Sequence, residues 1–198
     1  MAKKEEKVAQ ILDAAAGEFL AKGLDAASMH NIAERAAVSK RTLYKYYSGK
    51  DELYSALIDE LLDRVRIMHQ IKYDPDQPVR QQLEKIVEYQ IDLTTSESFI
   101  NMSKIVIGEI LKDRKPTDDQ MNKMFESELM FVDWVNGARK DNKITSDLDS
   151  TVIADQFHSI MKGQIFFPVL FRFLEVEKID SEGVRDKTVD FFINSFCG

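Results

Sequence analysis

The chain has 198 residues, 27 Lys and Arg against 34 Asp and Glu for a net charge of −7, and 44% hydrophobic residues with only 8 Gly and 4 Pro. Such a composition fits one large helical domain or two intimate ones, with no long disordered region. The N-terminal Met-Ala-Lys-Lys-Glu-Glu-Lys lacks the apolar stretch of a signal peptide, and the longest apolar run, residues 165–171, is too short for a bilayer, so a cytoplasmic protein with no membrane partner is expected.

The first predicted helix is amphipathic. Val8, Ile11, Leu12, Ala15, Ala16, Phe19 and Leu20 follow one helical face up to Gly23, a residue suited to a left-handed helix end. Residues 28–50 then read as two short helices around a tight turn. Ser28 caps the first, with Ile32, Ala33 and Ala36 on its inner face. Ser39 caps the second, whose Leu43 and Tyr47 point inward and leave Lys40, Arg41, Thr42, Tyr44, Lys45 and Tyr46 outward. Five basic residues in this segment face a single Glu34, a local charge of +4 in an acidic chain. A face dense in Lys, Arg, Thr and Tyr donates hydrogen bonds to phosphates from its rim and to base edges from its centre, so a DNA-reading helix-turn-helix is expected. The alternative is a basic, solvated helix pair.

Ser48-Gly49 makes a turn, and Lys50-Asp51-Glu52 opens a long fourth helix with Leu53, Leu57, Ile58, Leu61, Leu62 and Val65 inward. Free N–H groups and the positive dipole end favour a phosphate there, with the charge of Lys50 beside them. Asp51 and Glu52 suit the same dipole as ordinary helix-start residues.

The segment from Ile11 to about Val65 resembles the DNA-binding domain of the TetR/AcrR transcriptional regulators. The resemblance rests on Ile32 to Tyr47, with its Val-Ser-Lys-Arg-Thr-Leu-Tyr-Lys-Tyr run, followed by Gly49-Lys50-Asp51-Glu52-Leu53. Ala37 stands where that family commonly has glycine; a left-handed Ala37 carries roughly 1 kcal/mol of strain. The resemblance implies an all-α homodimer of about nine helices per subunit. A three-helix helix-turn-helix domain, residues 1–50, is joined by a long helix to a larger effector-binding and dimerisation domain, residues 51–198. It also implies a palindromic double-stranded operator, with Thr42, Tyr44 and Tyr46 among the recognition contacts, Ser28 and His30 near the start of the preceding helix, and Lys50 on a phosphate. With Ser39, Lys40, Arg41 and Lys45 these make the expected DNA-binding set.

Charge divides the chain: residues 1–50 carry +3 and residues 51–198 carry −10, which argues against DNA contacts in the body. Five further helices are predicted there, at about 78–95, 98–113, 117–139, 147–166 and 181–196. Pro75 and Pro78 separate the first from the fourth helix, Thr117-Asp118-Asp119-Gln120 has the form of a capping box, and Pro168 ends or kinks the helix before it. Phe157, Phe166, Phe167, Phe171, Phe173, Phe191, Phe192 and Phe196 crowd the last 42 residues, 8 of the chain's 12 phenylalanines. That exceeds what the core of a monomer should need, and in the resembling family the last two helices pair with their symmetry mates. Homodimerisation through these helices is expected, with a Phe-rich internal core as the alternative.

Helical spacing sets Glu109 inside the apolar arc of its helix and Gln164 amid Phe157, Ile160 and Met161. Each orients an effector or is satisfied internally, since buried polar groups are hydrogen-bonded. Met102, Met124, Met161 and Trp134 complete the candidate ligand-binding set with Phe157, Glu109 and Gln164; adaptable methionines favour an apolar or amphipathic small molecule.

No nucleophile elbow, phosphate-binding glycine loop or metal-spaced His/Cys cluster occurs, and His30, His69 and His158 lie far apart. Neither an enzyme nor a cofactor is expected. The single Cys197 excludes an intramolecular disulfide and reads as an inert thiol. The expected function is a sequence-specific regulator, a repressor released from its operator by a small ligand. The alternatives are a ligand-independent or activating regulator of the same family and a helical protein-interaction module.

Overall fold

The computed structural model describes residues 2–68 and 71–198; His69 lies outside the described residues. Among these the fold is all-helical: α1 (Ala2–Ala26), α2 (Met29–Arg35), α3 (Lys40–Tyr46), α4 (Lys50–Met68), α5 (Val79–Thr95), α6 (Glu97–Ile110), α7 (Asp118–Lys140), α8 (Ser150–Met161), α9 (Phe167–Leu170) and α10 (Ser181–Phe196). A π-helical turn, Lys162–Phe166, runs from α8 straight into α9. The three pieces form a single rod, so the described residues make nine helical rods.

The chain folds into two compact units. One takes in residues up to Leu62 together with Glu97–Gln120, the other Asp63–Ser96 together with Met121–Gly198. In the first, Ile11, Ala15 and Phe19 of α1 meet Ile32, Ala33, Leu43, Leu53 and Leu57 from α2 to α4 and Met102, Ile105 and Val106 of α6. Ile11, Leu12, Ala15, Ala16 and Phe19 of the α1 stripe are buried as their spacing predicts, Val8 is half-buried, and at the far end Leu20 is 40% exposed while Leu24 is buried. Gly23, with φ 75° and ψ 161°, interrupts the helical path and redirects the chain.

α2 ends in a Schellman turn. Val38 N–H donates to the Ala33 carbonyl at 3.0 Å and Ala37 N–H to that of Glu34 at 3.1 Å, which places Ala37 in the left-handed region at φ 49°. The strain expected of an alanine there is therefore present.

In the second unit, Arg80 pairs with Asp190 at 2.6 Å and Arg185 with Glu88 at 2.7 Å, bracing α5 against an antiparallel α10. Phe131 stacks on Phe157 with ring centroids 4.5 Å apart and on Trp134 at 5.6 Å, while Phe192 packs edge-on against Phe157 and Phe196. Phe157, Phe192 and Phe196 are thus core residues. The crowding of phenylalanines divides in two, because Phe167, Phe171, Phe173 and Phe191 remain exposed.

α7 is apolar on more than one side, and its packing selects one stripe. Phe131, Trp134, Val135 and Ala138, at helical spacing, form its inner stripe, whereas Met124 and Phe125 are exposed. The Thr117 capping box forms as predicted: Thr117 Oγ1 accepts from Gln120 N–H at 3.3 Å and Gln120 Oε1 from Thr117 N–H at 3.1 Å. Gln120 Nε2 also donates to the Ser55 carbonyl at 3.0 Å.

Candidate nucleic-acid interface

The helix-turn-helix is assembled by its caps. Ser28 Oγ accepts from His30 N–H at 3.2 Å and starts α2; Ser39 Oγ accepts from Thr42 N–H at 3.0 Å and starts α3. Satisfying an orphan N–H in this way is worth about 1 kcal/mol each. Leu43 is fully buried, which fixes the rotation of α3 and leaves Lys40, Arg41, Tyr44 and Lys45 exposed. Thr42 and Tyr46 are half-buried. The Thr42 hydroxyl bonds that of Ser39 at 2.8 Å, and Tyr46, read from sequence as outward, packs partly buried against the core beside Tyr47.

Ser28, His30, Lys40, Tyr44 and Lys50 border one shallow cleft of about 420 Å³ with Ala27, Met29 and Gly49. Five of the ten expected DNA-binding residues are therefore brought to one place, from the ends of three helices. Lys50 opens α4, and its ammonium donates to the Asp25 carbonyl at 2.6 Å, so the charge is held at the rim of the cleft. Glu52 accepts from Ser48 N–H at 2.6 Å and from its hydroxyl at 2.8 Å, the helix-start role expected of it. These bonds hold its carboxyl below the ordinary value. His30 lies 3.3 Å from Glu34, an ion pair whenever the imidazole is protonated.

The candidate ligand-binding residues separate. Met102 belongs to the core of the first unit, and so does Glu109, which is 4% exposed. Glu109 is satisfied by the protein itself: Lys112 lies 2.7 Å from one carboxylate oxygen and Arg114 3.3 Å from the other. Trp134, Phe157 and Met161 are buried in the second unit.

Met124 and Gln164 depart from the sequence reading. Met124 is 36% exposed because α7 turns its Phe131 stripe inward. Gln164 is exposed because it sits in the π turn. Pro168 has no N–H to offer the Gln164 carbonyl, and the Phe167 N–H donates to the Lys162 carbonyl. The wider turn rotates Gln164 off the face that a continuous α-helix would give it.

Sequence reasoning missed Arg114 and Asp25. Arg114 lies just past the end of α6 and Asp25 in the short stretch of α1 beyond the Gly23 kink, where periodicity carries little signal, and they meet across 89 positions of chain.

The sequence pattern of the bacterial regulatory proteins of the tetR family matches residues 11–57, and that of the C-terminal domain of AefR-like transcriptional repressors matches residues 81–197. The chain belongs to the TetR family of transcriptional regulators, proteins that bind DNA and dimerise. It is 27% identical over 185 residues to the uncharacterized regulator YdeS of Bacillus subtilis, covering 92% of this chain and 86% of that one. With the transcriptional activator FasR of Mycolicibacterium smegmatis it shares 37% identity over 90 residues, 43% of this chain but 41% of that one, so the match spans under half the length of that relative. The crystal structure of a TetR family regulator from Pseudomonas syringae pv. tomato superposes with a TM-score of 0.72 at 26% identity, covering 95% of both chains. No helix among the described residues is long and apolar enough to cross a membrane.

Proposed function

We propose that this regulator is a cytoplasmic repressor that binds a palindromic operator as a homodimer and is released by a small apolar or amphipathic ligand. Residues 1–50 act as the reading head and residues 51–198 as the effector-binding and dimerisation body. The observation that carries the DNA reading is the cleft where Ser28, His30, Lys40, Tyr44 and Lys50 converge. The side chains of α3 read base edges in the major groove, and Lys50 with the first turn of α4 takes a phosphate. The exposed Phe167, Phe171 and Phe191 support pairing through the last two helical rods.

Release follows from a change in the separation of the two heads. Half-sites lie about one helical turn apart, roughly 34 Å. A ligand that favours a spread state over the DNA-bound one by 1–3 kcal/mol gives about 5- to 150-fold release. α4 starts at Lys50 and is the element through which that change reaches the DNA. The ligand sits in the second unit against Trp134, Phe157 and Met161, with Met124 and Gln164 at its rim.

Selection of bound sequences from a random DNA pool, followed by ligand challenge of the bound operator, tests the proposal. The expected result is a palindrome released by apolar or amphipathic compounds. The sole tryptophan, Trp134, is buried against Phe131 and Phe192, and its emission should shift when such a compound enters. A palindrome with no release and no change in Trp134 emission contradicts ligand control. The match to an activator, FasR, favours a second reading in which the bound protein raises transcription; a reporter driven from the selected operator decides between the two.

A further inference from the structure

α6 ends in a second Schellman turn. Arg114 N–H donates to the Glu109 carbonyl at 3.0 Å and Asp113 N–H to that of Ile110 at 3.0 Å, with Asp113 left-handed at φ 66°. This turn directs Arg114 back along the helix it has just left. Its guanidinium meets three carboxylates: NH1 lies 2.7 Å from Asp51 Oδ1, NH2 lies 3.3 Å from Asp25 Oδ1, and Nε lies 3.3 Å from Glu109 Oε2.

Two of those partners are tied to Lys50. Asp51 is the next residue in α4, and Asp25 supplies the carbonyl that accepts from the Lys50 ammonium at 2.6 Å. Arg114 therefore grips the residues that hold and follow Lys50, while Glu109, almost fully buried and also paired with Lys112 at 2.7 Å, anchors it from behind. A planar fork suits a site that must reach several carboxylates at once; a lysine ammonium does not span it.

Asp25 and Asp51 are 80% and 84% exposed at their side chains. Exposed ion pairs contribute little to stability, so stability is a poor account of why one cation engages both. Without Arg114, the two carboxylates beside the phosphate seat would lose the guanidinium that contacts both, and the turn that receives Lys50 would lose its brace.

We propose that Arg114 is a positioning residue for DNA binding, fixing Asp25 and Asp51 so that Lys50 and the first turn of α4 are presented to a phosphate. The inference rests on the reading that Lys50 meets the DNA backbone. The test is a double-mutant cycle on the full-length protein, measured by fluorescence anisotropy with a labelled duplex of random sequence at low salt and checked for folding by thermal melts. Arg114→Ala should weaken binding about tenfold in the wild-type background and change it by less than about twofold in the Lys50→Ala background, because neighbours acting through one contact are non-additive. Arg114→Lys keeps the charge and serves if Arg114→Ala melts early; it should lose several-fold affinity with Lys50 present and almost none without it.

Wild-type affinity in both Arg114 variants overturns the proposal, as does the same loss in both backgrounds. If Lys50→Ala itself binds like wild type, the phosphate reading of Lys50 fails and the proposal falls with it. That outcome is distinct from a weakened Lys50→Ala beside an unaffected Arg114→Ala, which removes the role of Arg114 alone.

Discussion

Glu18 accepts a hydrogen bond from the side-chain amide of Asn31 at 2.8 Å from a position only 2% exposed. The same oxygen receives Ser28 N–H at 3.4 Å and lies 3.1 Å from Lys22. One buried carboxylate of α1 thus fixes both the cap residue and the first turn of α2. The Asn31 bond is the main reason its carboxyl is held below the usual value, against the opposing push of burial. A carboxylate with a depressed folded-state pKa contributes stability above its unfolded pKa and loses it as pH falls through the folded value. Chemical denaturation across the acid range should therefore show a steeper loss in wild type than in Glu18→Gln. At neutral pH the variant should be about 1–3 kcal/mol less stable. Parallel pH profiles would show that Glu18 has no such role.

Ala37→Gly should stabilise the protein by up to about 1 kcal/mol, because the left-handed position at φ 49° penalises any Cβ. The gain is partly offset by the greater freedom of glycine in the unfolded chain. Urea melts of the two proteins decide it, and a less stable variant would contradict the strain.

Core and interface roles separate the phenylalanines. Phe192→Ala removes a ring that is 1% exposed and packed on Phe157 and Phe196, and should cost about 3–5 kcal/mol. Phe171→Asp and Phe191→Asp change rings that are 55% and 46% exposed; these variants should melt near wild type yet scatter light as monomers. Dimeric, fully stable Phe171 and Phe191 variants would remove the proposed interface. Of the eight phenylalanines that crowd the last 42 residues, Phe192 and Phe196 face inward and are no probe of that interface.

Glu109→Gln should weaken the hold on Lys112 and Arg114, whose distances of 2.7 and 3.3 Å depend on its charge. Its effect should appear as a smaller copy of the Arg114→Ala loss in DNA affinity. An unchanged DNA affinity together with an altered ligand response would instead return Glu109 to the effector-orienting role.

Much of the reading head was legible in the sequence. Caps, apolar spacing and local charge are short-range signals, and they located Ser28, Ser39, Leu43 and Lys50 correctly because each acts within a turn or two of its own position. The capping box at Thr117 was legible for the same reason. The face of α7 was not, since apolar residues surround that helix and only its tertiary partners choose among them. Gln164 was misplaced by a wheel that assumed one continuous α-helix, although Pro168 held the signal for a change of register. Arg114 left no periodic trace: its partners Asp25 and Asp51 are distant in sequence, and only the fold brings them together.

The central claim is that the Lys50 and Tyr44 cleft is the DNA-binding surface, and salt-dependent binding tests it most directly. Affinity for the selected operator should be measured over a range of salt for wild type, Tyr44→Ala and Lys50→Ala, each with a thermal melt. Both variants should stay folded and bind more weakly. Lys50→Ala should also lower the salt slope by roughly one per lost phosphate contact, or about two per dimer, while Tyr44→Ala should leave that slope nearly unchanged. Wild-type affinity and wild-type slope in both folded variants would contradict the account.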